Sequence, residues 1–168
     1  MKKNRRRGQA TMEFVLAYSA IILPVTSMIV FTAQMLWAWH SMVDFSRDGA
    51  RYATTHCWQS GGENTVSWMR QNVPLTFDRD QFAQGPAEIE ITFMGRNAET
   101  GALEEFSCDG GDCSRACQPD TVRVRIRGYE FRSFVSYLGM PPIVMPEFQT
   151  TLAMESGGCN PESEECLP

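Results

Sequence analysis

The chain has 168 residues, a net charge of −5 and an apolar share of 43%, so one modest domain is the expectation. Charge is unevenly placed. Lys2, Lys3, Arg5, Arg6 and Arg7 precede position 8, whereas beyond Glu13 ten basic residues face nineteen acidic ones, a net of −9. This acidity argues against nucleic acid as a partner of the distal part, because such binding rests on neutralising phosphates with Lys and Arg.

After the basic cluster comes Phe14 to Trp39, FVLAYSAIILPVTSMIVFTAQMLWAW, an apolar run of 26 residues. It exceeds the ~20 residues needed to cross a bilayer and the roughly 7–15 of a secretory signal core. No Asp, Glu, Lys or Arg interrupts the chain from Phe14 to Val43. The basic cluster predicts a cytoplasmic N-terminus, with Trp37 and Trp39 at the far interface. The inner-membrane lipid is then a partner, and the chain beyond about Asp44 is placed in the periplasm. Pro24, within the run, predicts a kink. One carboxylate, Glu13, stands at the entrance of the run, where a charge is costly and marks a functional site by default.

Asp44–His56 continues helically, with Val43, Ser46, Ala50 and Ala53 on one stripe and Arg47 and Arg51 on a polar face. Gly49 costs this helix about 1 kcal/mol relative to Ala; it either admits a close neighbour or is simply tolerated. Gly61-Gly62 ends the unit, and Asn64 is a cap for a short helix, TVSWMRQNV, that Pro74 terminates. Three alternating stretches predict strands. EIEITFM puts Ile89, Ile91 and Phe93 on one face, and TVRVRIRGY puts Val122, Val124 and Ile126 on the core side with Arg123, Arg125 and Arg127 outside. Phe148–Glu155 has Phe148, Thr150, Leu152 and Met154 on its less polar face. The arginine row suits a solvated strand face complemented by Glu88 and Glu90, a charge pairing that favours one register; anion binding is the other reading of it.

Six cysteines, Cys57, Cys108, Cys113, Cys117, Cys159 and Cys166, all lie beyond the apolar run. Such placement predicts disulfides formed in an oxidising compartment. Within the cluster CDGGDCSRAC the spacing C-x4-C-x3-C lacks the paired short spacings of structural zinc, so a stapled loop is expected and no metal is assigned. The cluster is odd in number; Cys57 is the expected outside partner, Cys159 and Cys166 would close the tail, and the two remaining cluster cysteines would pair locally. His56 and Cys57 are adjacent with no third group to orient them, so no nucleophilic site follows. No phosphate cradle or serine motif is present. No catalytic residue and no cofactor are assigned, and the chain reads as a non-enzyme.

RRRG-QATMEF resembles the class III leader of type IV pilin-like proteins: a short basic leader, a glycine, then an apolar helix with glutamate at the fifth mature position. MVDFSRDGARYATTH and FQTTLAMES are similar to the helix extension and C-terminal strand of TadE-like pseudopilins, the minor pilins of tight-adherence systems. The likeness covers 5–56 and, more loosely, 120–156. It implies that a prepilin peptidase cuts between Gly8 and Gln9, and that Glu13 pairs in the assembled fibre with the new amine on Gln9 of a neighbouring pilin. Glu13 reaching back to the lipid headgroups is the other place for its charge.

The organisation expected is therefore a leader over 1–8, a transmembrane and pilin-core helix over 9–43, its extension over 44–57, and a periplasmic domain over 58–168. That domain holds a Cys-rich insertion at 95–118 and a polar tail at 156–168. The fold class is α+β: a long N-terminal helix, then a small antiparallel sheet with a short helix, stapled by disulfides. The function expected is pilus assembly with other pilins or pseudopilins, supporting surface attachment. An adhesive tip subunit and an unprocessed single-pass metal-binding ectodomain are the rival readings.

Overall fold

The structure, a computed structural model, describes residues 5–58, 63–108, 117–132, 139 and 141–159. The chain is α+β and divides into two compact units, Met1–Trp37 and Ala38–Pro168.

The first unit is helical. Helix α1, Arg5–Ala17, leads into one π-helical turn, Tyr18–Ile22, and then into α2, Leu23–Thr54. In the π turn the Leu23 N–H donates to the Tyr18 carbonyl, five residues back. Pro24 accounts for this turn. Its ring has no N–H and crowds the carbonyl four residues earlier, and a single π turn is the usual local adjustment. The proline signal read from the sequence thus takes the form of a π turn within a continuing helix.

In the second unit, the distal part of α2 shares a core with two short helices and a sheet. Helix α3 spans Glu63–Gln71 and α4 spans Arg79–Ala83. The strands are β1 Glu88–Arg96, β2 Leu103–Glu105, β3 Thr121–Arg127, β4 Glu130–Phe131, β5 Ile143–Val144 and β6 Phe148–Ala153. The main sheet has the order β2-β1-β3-β6, antiparallel throughout, and β4 and β5 form a second antiparallel pair.

Alternation sets which face is buried. Val122, Val124 and Ile126 of β3 are fully buried and stand opposite Phe93, Ile91 and Ile89 of β1. They share the core with Met42, Phe45, Ala50 and Ala53 of α2, Met69 of α3 and Phe82 of α4. Burying one such aliphatic side chain stabilises by about 1.5–3 kcal/mol. The helix buries a wider face than the stripe read from the sequence, since Met42, Phe45 and Gly49 are buried as well. It meets the sheet and α3 at once, and no single 3.6-residue stripe serves two neighbours. Gly49 is there for α3: a Cβ at this position would overlap the Met69 side chain, with Cε only 2.7 Å away.

Several boundaries differ from expectation: α2 stops at Thr54, β3 at Arg127 and β6 at Ala153, each two residues early, and β1 runs on to Arg96. Helix α3 begins at Glu63, so Asn64 lies inside its first turn rather than capping it, and it ends at Gln71, three residues ahead of Pro74. Strands β2, β4 and β5 and helix α4 are additions to the sequence reading. The hairpin β1–β2 turns at Asn97, whose side chain accepts from the Glu99 N–H at 2.9 Å, and closes with Gly101 at φ 68°, a left-handed conformation that favours glycine. Helix α4 is capped by Asp78, which accepts from the Asp80 N–H at 3.1 Å. It is pinned to β4 by the buried Gln81, whose amide exchanges two hydrogen bonds with the Glu130 backbone.

Candidate functional site

Gly8, Gln9 and Glu13 all lie on α1. Gln9 and Glu13 are four residues apart, one turn along the same helical face, and both are exposed. Glu13 is the single acidic residue of the first unit. The side chains around and beyond it are apolar and exposed on all sides: Met12 66%, Phe14 67%, Leu16 64%, Ile21 63%, Met28 70% and Ile29 64%. A helix apolar all round requires a non-aqueous surrounding, either lipid or other helices. Its hydroxyls conform to that demand. Ser19 donates to the Val15 carbonyl at 2.8 Å, Thr26 to Ile22 at 2.9 Å, Ser27 to Leu23 at 2.8 Å and Thr32 to Met28 at 2.9 Å. Each of these four hydroxyls is thereby satisfied within its own helix, as hydrocarbon requires. The helix Gln9–Thr54 is long and apolar enough to cross a membrane.

Where the helix enters the second unit its surface becomes charged. Asp44 lies 3.4 Å from His40 and 3.6 Å from Arg47, and Asp48 lies 4.0 Å from Arg51. These exposed pairs contribute little, about 0–1 kcal/mol each. His56 does not join Cys57 in any nucleophilic pair. Its ring stacks on Tyr52 at 3.7 Å, Tyr52 stacks on Trp68 at 4.5 Å, and Cys57 is disulfide-bonded.

Cys108 and Cys117 form a disulfide with a Cα–Cα distance of 6.1 Å, inside the usual range. The bond joins the segment after β2 to the segment before β3. The Trp58 indole N–H donates to the Cys117 carbonyl at 2.7 Å, so the end of α2 is tied to the same loop. Cys57 and Cys159 are both buried and disulfide-bonded, while Cys113 and Cys166 lie outside the described residues. The Gly157 N–H donates to the Thr54 carbonyl at 3.1 Å, which brings the C-terminal segment against the end of α2. Among the described residues no cysteine is free and no cluster of His, Cys, Asp and Glu is arranged to hold a metal ion.

The arginine row of β3 meets acidic neighbours. Glu88 stands opposite Arg127 and Glu90 opposite Arg125. Arg127 Nε donates to Glu88 Oε2 at 2.8 Å and Nη2 lies 2.7 Å from the same oxygen; that hydrogen bond, with the charge behind it, raises the guanidinium pKa above its ordinary value. Arg125 lies 3.5 Å from Glu90, and its Nε is 2.7 Å from Glu147 Oε1, an ion pair by distance without the alignment of a hydrogen bond. Glu147 was not part of the sequence reading. Its signal was its place immediately before β6, one step outside an alternating run.

Comparison of the chain with protein-family models, with curated proteins and with solved structures finds no match in any of the three.

Proposed function

We propose that this chain is a TadE-like minor pilin or pseudopilin, cut after Gly8 and assembled with other pilins into a tight-adherence fibre. The observation that carries the reading is the head of the long helix. A basic cluster, Gly8 and Glu13 open a helix whose apolar side chains are exposed on all sides and whose hydroxyls bond to their own backbone. Such a helix suits two surroundings in turn, the inner membrane and a helix-packed fibre core. The basic residues hold the N-terminus on the cytoplasmic side, and the disulfide-bonded unit then lies in the oxidising periplasm before reaching the cell surface.

Cleavage after Gly8 frees an amine on Gln9, positive below a pKa of ~7.7–8. Glu13 has lost water in the fibre core and needs a cation there. The Gln9 amine of a neighbouring subunit supplies it. The pair adds little net stability, but leaving one partner alone costs about 3–5 kcal/mol, so it acts as a check on subunit register. The chain's chemistry ends at recognition, and no reaction is assigned to it.

The test is co-expression with a prepilin peptidase and determination of the N-terminus. The expected mature protein begins at Gln9. A protein that keeps Met1, or one cut within the apolar run, overturns the reading.

A further inference from the structure

The main sheet has an unfinished edge. Strand β2 is three residues long and pairs only with Met94, Gly95 and Arg96 of β1. Beyond it, the Phe106 N–H still reaches the Phe93 carbonyl at 3.0 Å. Backbone groups alternate sides along a strand, so those of Ile89 and Ile91 point the same way as those of Phe93. Among the described residues no backbone partner meets them there. Five residues of β1, Glu88–Thr92, thus present one open edge about 17 Å long at ~3.4 Å per residue.

A groove of about 390 Å³ lies beside this edge, lined among others by Arg70, Phe82, Gly85, Ala87, Ile89 and Arg127. Its lining is apolar at Phe82, Ala87 and Ile89. The side chains of Ile89 and Ile91 are only half-buried, whereas Val122, Val124 and Ile126 on the neighbouring strand are fully buried. Of the two arginines, Arg127 is neutralised by Glu88. Arg70 is exposed and has no ion pair among the described residues.

We propose that this edge and groove dock an extended polypeptide strand of a partner protein, which adds to the sheet along Glu88–Thr92 and sets an acidic side chain against Arg70. The chemistry selects the occupant. A strand edge offers donors and acceptors at the repeat of an extended backbone, the arrangement used in strand addition, with pockets beside the edge reading alternate side chains. A second copy pairing through the same edge brings no free carboxylate to Arg70, because Glu88 and Glu90 are already paired with Arg127 and Arg125. The site does not depend on cleavage after Gly8 or on Glu13.

The probe is a fluorescein-labelled seven-residue peptide of alternating valine and glutamate, titrated into the full chain in detergent micelles. Binding is expected, together with slowed amide exchange at Ile89 and Ile91. A probe N-methylated at alternate backbone nitrogens is expected to bind at least tenfold more weakly. Arg70→Glu, an exposed substitution on α3, is expected to weaken the acidic probe at least threefold and to leave an alternating valine–threonine probe unchanged. Equal affinity of the N-methylated probe, unchanged exchange at Ile89 and Ile91, or no binding at 1 mM peptide would each overturn the proposal. If those two amides become protected merely by concentrating the chain, the occupant is a second copy and the separate partner is excluded.

Discussion

At the scale of single residues, Glu13 and Tyr129 show opposite uses of a titratable group. Glu13 is a charge set into an apolar helix, with no ion pair among the described residues. Glu13→Ala makes the span more apolar, so membrane insertion and cleavage should continue at normal levels. On the pilin function proposed above, incorporation into fibres should fall by at least tenfold, because the Gln9 amine of a neighbour would be left alone. Comparison of membrane-bound and fibre-bound protein by immunoblot checks this, and normal incorporation excludes the register role. Tyr129 is buried among Phe77, at 5.3 Å, and Phe82, at 5.6 Å. Its hydroxyl accepts from the Asp78 N–H at 3.3 Å. Burial pushes its pKa above 10.0, since it penalises the phenolate. The folded state therefore holds the proton more tightly than the unfolded state, and the stability from this linkage is present below about pH 10 and lost as pH rises through the folded value. Tyr129→Phe keeps the ring, costs about 1 kcal/mol at neutral pH through the lost acceptor, and should flatten the alkaline fall in thermal stability. A variant whose stability falls as steeply as wild type above pH 10 would contradict this role.

At the scale of elements, the link between α2 and β6 is the most informative. Ser46, 1% exposed, lies on the buried face of the helix, and its hydroxyl meets that of Thr150 at 2.7 Å. Thr150 is the polar residue on the inward face of β6, and it is in place there because Ser46 answers it. A buried hydroxyl without a partner costs about 1–3 kcal/mol, whereas removing both partners together is close to neutral. Thr150→Val alone should therefore lower unfolding free energy by roughly 1–2 kcal/mol, partly cushioned because Ser46 also donates to the Val43 carbonyl. Adding Ser46→Ala should recover part of the loss. A double-mutant cycle with no coupling between the two positions would show that the contact has no energetic weight. Strand register is better marked in the chain. The oppositely charged pairs Glu88–Arg127 and Glu90–Arg125 stand directly across β1 and β3. Strand β2 was not legible for the converse reason: its three residues are all exposed and include Glu104 and Glu105, so no alternation announces it. Helix α4 was missed because five residues are too few for a helical period to emerge.

At the scale of the whole molecule, stability beyond the long apolar helix rests on a small core and on disulfides. The bond between Cys108 and Cys117 closes a loop with a sequence separation of 9. In the chain-entropy account a loop of this size is worth about 2–3 kcal/mol. The double variant Cys108→Ser, Cys117→Ser should lower Tm by on the order of 5–10 °C when the full chain is melted in detergent, and mild reductant should act in the same direction. An unchanged Tm would mean that the loop is held without the bond, through contacts such as Trp58 with the Cys117 carbonyl.

The amino-acid sequence by itself determined the long apolar helix, the α+β class, the three long strands and the inward set Val122, Val124 and Ile126. These follow from composition and from periods of 3.6 and 2, which are local and readable along one chain. It also placed Gly8, Gln9 and Glu13 together, because residues within one helical turn need no tertiary information. Only the tertiary structure decided that Gly49 makes room for Met69, that Ser46 answers Thr150, that Cys108 joins Cys117, and that among the described residues no backbone pairs with that edge of β1 beyond β2. Each of these depends on which distant segment arrives next to a residue. Chain folding sets that neighbour through packing density and hydrogen-bond satisfaction across the core, and no local pattern encodes it.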